Sequence, residues 1–328
     1  MAVVESILRD QLLDRRRRLE QAVAVTKENL EIHRLIAEVD SALARMEAGT
    51  YGLCEVCREP IETERLIADL LVKLCLGHMT PTQQRALEND LELAAKIQKG
   101  LLPNPNLFFN SWEVSYHYEP AGLVSGDYCD LLTAESGDLY FILGDVSGKG
   151  VSASMLMVHL HAMFRTLISL GMPLRELMER ASRVFCESTL PTHYATLVCG
   201  KADASGAAEI CNAGHLPPLL VSQGQVERVD PTGLPVGAFC DEKFATTRVR
   251  LEPGQTLLLY TDGLSEARNV SGEMYGHDRL QDLAIKSGGV RAQELVDICL
   301  NDLAAFRRNI PLGDDLTLMV VGRSGVSD

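Results

Sequence analysis

Gly144-Asp145-Val146-Ser147-Gly148-Lys149-Gly150-Val151-Ser152 is the stretch whose reading decides the architecture. The run from Asp138 to Gly144 that leads into it has the aromatic and β-branched content of a strand. Val151 to Leu170, which follows, reads as an apolar helix. The glycines between them predict a tight turn after Asp145. A P-loop is excluded, because that motif places one residue more between its first Gly and the Gly-Lys, and then needs Ser or Thr. Here three residues separate Gly144 from Gly148, and Gly150 follows Lys149. A helix that begins at such a turn can hold an anion at its N-terminus.

Three more acidic turns extend the pattern. Gly126-Asp127-Tyr128 lies upstream, Thr261-Asp262-Gly263 ends the apolar run Thr256–Tyr260, and Gly313-Asp314-Asp315 precedes the run Leu316–Val321. Any one of these aspartates read alone is a turn residue. Asp127, Asp145, Asp262 and Asp314 together place four carboxylates at the ends of strand-like segments. Gathered carboxylates suit hard divalent cations, which take oxygen ligands. Without a cation, carboxylates that close would repel and some would take up protons.

From Trp112 onward the chain alternates short strands with turns: Ala195–Lys201, Ala207–Asn212 and Pro218–Val221, broken by Ala204-Ser205-Gly206 and Gln223-Gly224. Helical stretches are expected near 175–188, 278–286 and 291–307. Strands meeting in hairpins, with helices inserted in blocks, indicate an α+β fold rather than a doubly wound one. The net charge of −14 is uneven, −3 over residues 1–100 and −11 over 101–328. An acidic second part repels nucleic acid and anionic membrane and suits cation binding. No apolar run approaches a bilayer-spanning length, so no membrane segment is expected. The N-terminus soon reaches Arg15 to Arg18 and lacks a signal-peptide layout, so the expected compartment is the cytoplasm.

Five segments occur in one order: Val124-Ser125-Gly126-Asp127-Tyr128, Gly144 to Gly150, Asn212-Ala213-Gly214-His215-Leu216-Pro217-Pro218, Leu258 to Ala267, and Asp314-Asp315-Leu316-Thr317-Leu318. Together they resemble the SpoIIE/RsbU-type branch of the PPM metal-dependent serine/threonine phosphatases. The likeness spans about residues 85–323, because Leu93-Ala94-Ala95-Lys96-Ile97-Gln98-Lys99-Gly100-Leu101-Leu102-Pro103 also looks like that branch. The resemblance implies an αββα four-layer sandwich carrying two Mn2+ or Mg2+ ions. It carries the ion ligands onto Asp127, Asp145, the carbonyl of Val146, Asp262 and Asp314, with Asp315 adjacent. Two cations bridged by a hydroxide would supply a nucleophile at neutral pH and neutralise the phosphoryl oxygens. His215, Lys149 and Glu266 lie in these motifs without an assigned step. His117, His159, His161, His193 and His277 read as structural.

The first hundred residues are of another kind. Residues 3–47 hold no Gly or Pro, which predicts a long helix. Apolar positions Leu8, Leu12, Leu19, Val23 and Leu30, then Leu35, Val39, Ala42 and Met46, follow a broken heptad, so the helix is expected to turn back or pair imperfectly. Cys54-x2-Cys57-x17-Cys75-x2-His78 then offers two close ligand pairs for one structural Zn2+. A DNA-reading finger would have about twelve residues between its pairs. Met46 to Cys57, Pro60-Ile61 and Arg65-Leu66-Ile67-Ala68 resemble the DksA/TraR zinc-finger module over about residues 30–80, with His78 replacing the usual last cysteine. A clear helical hairpin with acidic residues at its tip, the polymerase-acting part of that family, is not legible. The other six cysteines, Cys129, Cys186, Cys199, Cys211, Cys240 and Cys299, are scattered and read mostly as small buried hydrophobes. Thr80 is the expected N-cap of a helix with Pro81 in its first turn, carrying Leu87, Leu91, Ala94, Ile97 and Leu101 on one face.

The chain therefore divides into a helical, coiled-coil-like segment (1–48), a zinc module (49–80), a linker helix (81–104) and a phosphatase domain (105–328). The expected function is dephosphorylation of a phosphoprotein, which the resemblance suggests is an anti-sigma-factor antagonist or similar switch protein. A homodimer through the N-terminal and linker helices is expected, and neither membrane nor nucleic acid is an expected partner. The alternative from another class is a zinc-module regulator of the transcription machinery, with the phosphatase-like domain as a non-catalytic scaffold.

Overall fold

The structure, a computed structural model, describes residues 2–25, 30–62, 65–66 and 69–324. Residues 26–29 of the expected long helix, Ile67 and Ala68 of the zinc-module likeness, and the side chains of Val23 and Leu30 lie outside the described residues. The chain forms two compact units, Met1–Asp90 and Leu91–Asp328.

In the first unit the helical stretch is two helices, α1 (Ala2–Val25) and α2 (Leu30–Glu47). They pack antiparallel: Arg16 meets Asp40 at 2.9 Å, and Leu8 lies in the same apolar cluster as Met46. Leu12, Val39 and Ala42 are fully buried between them. One solvated helix would have left that broken stripe in water, so turning back is the cheaper arrangement. Leu8 also packs with Cys54, Ile61 and Leu66 of the cysteine segment. The expected turning back is thus realised as two paired helices at the base of this unit.

Helix α3 (Pro81–Leu101) runs across the boundary between the units. Its start is a reciprocal cap. The Gln83 N–H donates to Thr80 Oγ1 at 3.3 Å, and the Thr80 N–H donates to Gln83 Oε1 at 3.0 Å. Leu87, Leu93 and Ile97 are exposed along it, and its buried side chain is the polar Gln98.

The second unit contains two antiparallel sheets. One has the strand order β1-β2-β11-β10-β7-β8 and the other β3-β4-β5-β6-β9. The strands are β1 (Asn106–Phe109), β2 (Trp112–Glu119), β3 (Tyr128–Thr133), β4 (Leu139–Val146), β5 (Ala195–Ala202), β6 (Ala207–Ala213), β7 (Leu219–Ser222), β8 (Gln225–Arg228), β9 (Thr247–Arg250), β10 (Thr256–Tyr260) and β11 (Leu316–Arg323). The helices are α4 (Gly150–Ile168), α5 (Leu174–Ser188), α6 (Asp262–Ser265), α7 (His277–Lys286) and α8 (Ala292–Arg307). Period-two alternation sends side chains of one strand to opposite faces. In β4, Leu139, Phe141 and Leu143 enter the core between the sheets, whereas Tyr140 and Ile142 pack under α4 and α5. In β10, Leu257 and Leu259 face the other sheet, while Leu258 and Tyr260 face α7 and α8. The result is the expected α+β sandwich of four layers, αββα.

Two expectations change here. Helix α4 is long and apolar enough to cross a bilayer by length and composition, unlike the reading of the sequence. Its Ala153, Met157, Leu160, Phe164 and Ile168 are buried against the sheet, which accounts for its apolar character as a core helix. Cys186 and Cys240 are not scattered small hydrophobes: they form a disulfide with Cα atoms 5.3 Å apart, joining the last turn of α5 to the segment after β8. Their separation of 54 residues hid the pairing, which depends on tertiary packing. Cys129, Cys199, Cys211 and Cys299 are free and buried as expected.

Candidate active site

The strand ends bring the aspartates to one edge of the sandwich. Asp127 stands before β3 and Asp145 near the end of β4, both in one sheet. Asp262 opens α6 after β10, and Asp314 and Asp315 precede β11, both in the other sheet. The register places Asp145 opposite Thr196 on β5.

Three of the carboxyls are raised. Burial pushes the Asp145 carboxyl up to about 7, helped by the charges of Asp262, Asp314 and Asp315. Burial also raises Asp127 well above the usual carboxylate range, with Asp145 and Asp315 adding to it and hydrogen bonds from Thr317 and Thr261 opposing it. Asp262 is raised by burial, then by Asp314 and Glu266, which places Glu266 beside the cluster without a contact that gives it a chemical role.

The supports are specific. Thr261 Oγ1 donates to Asp127 Oδ2 at 2.9 Å, and Thr317 Oγ1 donates to the same oxygen. The two threonines are themselves bonded, since Thr261 N–H donates to the Thr317 carbonyl and Thr317 N–H to Thr261 Oγ1, both at 2.9 Å. Asp315 uses its two oxygens on the 121–126 loop, accepting Ala121 N–H on one and Gly126 N–H on the other, each at 2.8 Å. Gly126 is closely packed there: a Cβ would come within 3.1 Å of the Ala153 Cβ, tighter than ordinary contact, while the Val146 carbonyl and Asp145 Oδ1 would lie at van der Waals distance. Gly263 is required outright, because a Cβ would strike the backbone carbonyl of Asp315. Lys149 Nζ donates to Asp314 Oδ2 at 2.6 Å.

Two residues tie this edge to the rest of the fold. Gln98 on α3 clamps Ser125 with both ends of its amide, Nε2 donating to the Ser125 carbonyl at 2.7 Å and Oε1 accepting its N–H at 3.0 Å. His215 is buried and spans the sheets, with Thr196 Oγ1 at 2.9 Å from Nδ1 and the Tyr260 carbonyl at 3.1 Å from Nε2. Burial lowers its imidazole to about 4, so it is neutral, donating from Nε2 and accepting from Thr196. Sequence reasoning gave Thr261, Thr317 and Gln98 no part, although all three lie inside the quoted motifs. Their signal is polar residues at positions where the strand and helix patterns call for apolar ones. Asp130 was also missed: fully buried, it accepts a two-pronged contact from Arg165 at 2.8 and 2.9 Å and anchors α4 on β3.

The donor set fits divalent cations. Asp127, Asp145, Asp262 and Asp314 with the Val146 carbonyl offer hard oxygens. Asp127, Asp145 and Asp262 are raised first by burial and then by neighbouring carboxylates, and Lys149 supplies one ion pair to the set, so the edge has room for further positive charge.

The cysteine segment presents a tighter constellation. The donor atoms of Cys54, Cys57, Cys75 and His78 all lie within 4.8 Å of one another. Cys75 Sγ is 3.2 Å from His78 Nδ1, and Cys54 Sγ is 3.8 Å from the same nitrogen. Cys57 and Cys75 sulfurs are 3.8 Å apart. Tetrahedral ligation at a Zn–S length of about 2.3 Å puts sulfurs about 3.8 Å apart, so the four atoms fit Zn2+. Burial raises the Cys54 thiol, but backbone N–H groups at Cys57, Cys75 and Val56 outweigh it and bring the thiol down to about 6.

The family model for Stage II sporulation protein E (SpoIIE) matches residues 135–324, more than half of the chain. Protein IcfG of Synechocystis is 28% identical over 264 residues, covering 72% of this chain and 42% of that protein. Phosphoserine phosphatase RsbP of Bacillus subtilis is 28% identical over 201 residues, covering 60% of this chain and 49% of its own length. The chain thus spans less than half of either relative. The crystal structure of the RsbU and RsbW domains of a Mycobacterium tuberculosis protein superposes with a TM-score of 0.57 at 29% identity, covering 69% of this chain and 64% of that one. The SiaA-PP2C domain of Pseudomonas aeruginosa shares the fold at a TM-score of 0.64 and 18% identity, covering 75% of this chain and 99% of that one. With its four layers, its aspartate edge and the family match across β4 to β11, the chain belongs to the SpoIIE family.

Proposed function

We propose that the chain is a metal-dependent protein serine/threonine phosphatase of bacterial signalling, and that the aspartate edge of residues 91–328 is its active site. The observation that carries this reading is the convergence of Asp127, Asp145, Asp262 and Asp314 from both sheets, with three of the carboxyls raised by burial and by one another. Asp127, Asp145, Asp262, Asp314 and the Val146 carbonyl would hold two Mn2+ or Mg2+ ions. When bound, these ions supply a water nucleophile at neutral pH and offset the charge of the phosphoryl oxygens.

The protein's own residues set the geometry. Thr261 and Thr317 both bond one oxygen of Asp127 and so hold that carboxylate in place. Asp315 holds the 121–126 loop through two N–H groups, so Gly126 stays close to Asp145 and Val146. His215 braces the strand carrying Thr196 against the end of β10, which keeps Asp145 and Asp262 facing each other across the sheets. The substrate on this reading is a phosphoprotein, of the anti-sigma-factor-antagonist kind that the family resemblance implies; the phosphoserine phosphatase RsbP among its relatives supports phosphoserine as the group removed. Cys54, Cys57, Cys75 and His78 would hold a structural Zn2+ in a short segment whose own buried cluster is small. The exposed Leu87, Leu93 and Ile97 support a homodimer in which α3 acts as a lever on the active site. We place the protein in the cytoplasm.

The test is Mn2+-dependent hydrolysis of phosphoserine peptides by wild type, Asp145→Asn and Asp262→Asn. Turnover lost in both variants supports the assignment. A folded, metal-loaded wild type without turnover, but binding RNA polymerase independently of Asp145 and Asp262, would favour a scaffold regulator. Charged substitutions at Leu91 and Ile97 that alter neither oligomeric state nor activity would end the lever idea.

A further inference from the structure

We infer that Lys149 is the residue that grips the substrate's phosphoryl group, an inference that rests on the phosphatase reading above. A phosphate monoester is an anion entering an edge already lined by carboxylates, so it needs a cation beyond those that neutralise the aspartates. Among the described residues, Lys149 makes the one ion pair to any of Asp127, Asp145, Asp262, Asp314 and Asp315. Its Nζ lies 2.6 Å from Asp314 Oδ2 and 3.5 Å from the Gly313 carbonyl.

That pairing is poorly suited to be a structural tie. The Lys149 side chain is 70% exposed, and exposed ion pairs contribute little to stability. The ammonium can therefore be handed from Asp314 to an incoming phosphate at little cost once a cation occupies Asp314. A lysine suits that exchange, being a point charge on a flexible stem.

The surroundings leave room for the ligand. Gly148 and Gly150 flank Lys149 at φ 101° and 67°, and a Cβ on either would meet nothing within 4 Å. A cavity of about 440 Å3 opens beside it, walled by Leu91, Leu123, Val151, Leu312 and Asp314. Lys149 is also the N-cap of α4, a 19-residue helix with no side chain capping its first N–H groups. Those groups add a positive end directed at the same place.

The experiment uses the full chain as wild type, Lys149→Ala and Lys149→Arg. Binding of inorganic phosphate in the presence of Mn2+ is measured by calorimetry, together with Mn2+ affinity and steady-state kinetics on a phosphoserine peptide. Lys149→Ala is expected to weaken phosphate binding and raise KM about tenfold with Mn2+ affinity undiminished, and Lys149→Arg to restore part of the loss. Unchanged phosphate affinity and KM would overturn the inference. So would a fall in Mn2+ affinity as large as the fall in phosphate affinity, because Lys149 would then be acting on the ion ligands. A folded wild type that binds Mn2+ and phosphate but hydrolyses nothing would instead sink the phosphatase reading, and the phosphate arm would still report on Lys149.

Discussion

The Cys54–His78 cluster and the aspartate edge are two ligand constellations built on opposite principles. The first is assembled from two short loops, and its four donors already lie within 4.8 Å of one another. The second is assembled from two sheets, from residues as far apart in sequence as Asp127 and Asp314. Its carboxyls are held at a common edge by threonines, backbone N–H groups and a lysine. Donors that meet through local spacing make a closed site whose product is stability. Donors that meet only through a complete fold make a site whose charges remain in tension, ready to act on something that enters.

The largest expected break in this contrast is Asp145→Asn. Activity should fall by at least about 100-fold, as losses of single electrostatic groups do in other active sites. The melting temperature should hold or rise, since a buried repelling charge is removed. A variant that melts well below wild type would mean the edge is structural. Cys57→Ser should do the reverse, abolishing hydrogen-exchange protection around residues 50–78 while the melting of residues 91–328 is unmoved. A shift in the latter would show that the two constellations are not independent.

Thr317→Val sharpens the comparison further. Removing a hydroxyl that positions a ligand should weaken Mn2+ binding by about 10–100-fold, measured by calorimetry, without unfolding the chain. An unchanged affinity would show that Asp127 needs no orienting partner. The smallest effect concerns pH. Asp145 rises to about 7 in the folded protein, from a usual carboxylate value of 3.8. Its contribution to stability is therefore full below the unfolded value and lost as pH rises through about 7. In chelator-treated protein, wild type should lose melting temperature from pH 5 to 8 more than Asp145→Asn does, and Mn2+ should erase the difference. Parallel curves for the two proteins would contradict the raised carboxyl.

How much was visible beforehand follows from the same distinction. The α+β layering was legible because β4, β10 and β11 are short, continuous apolar runs of the kind a strand buried on both faces needs, and because helical stretches stand between the hairpins in blocks. The strands β1, β8 and β9 are short, half-exposed edges with little pattern to read. The Cys54–His78 group was readable from spacing alone. The aspartates were readable as a set, but the threonines that aim Asp127, the amide of Gln98 and the Asp130–Arg165 pair depend on contacts between distant segments. Cys186–Cys240 was missed for that reason too. The N-terminal helix was read as long because Gly and Pro are absent, a local signal that says nothing of where a chain doubles back.

The amide clamp of Gln98 on Ser125 has one more consequence, which concerns rotation. A helix turns by about 100° per residue. Fixing Gln98 inward therefore fixes the azimuth of every other side chain on α3, and it is this that leaves Leu93 and Ile97 in water. Deleting a single residue between Gln98 and the end of the helix would put a neighbour of Gln98 against the Ser125 loop and swing the apolar residues round with it. Restoring the original facing would take a whole number of turns, so the length of this short rod is constrained by phase more than by reach.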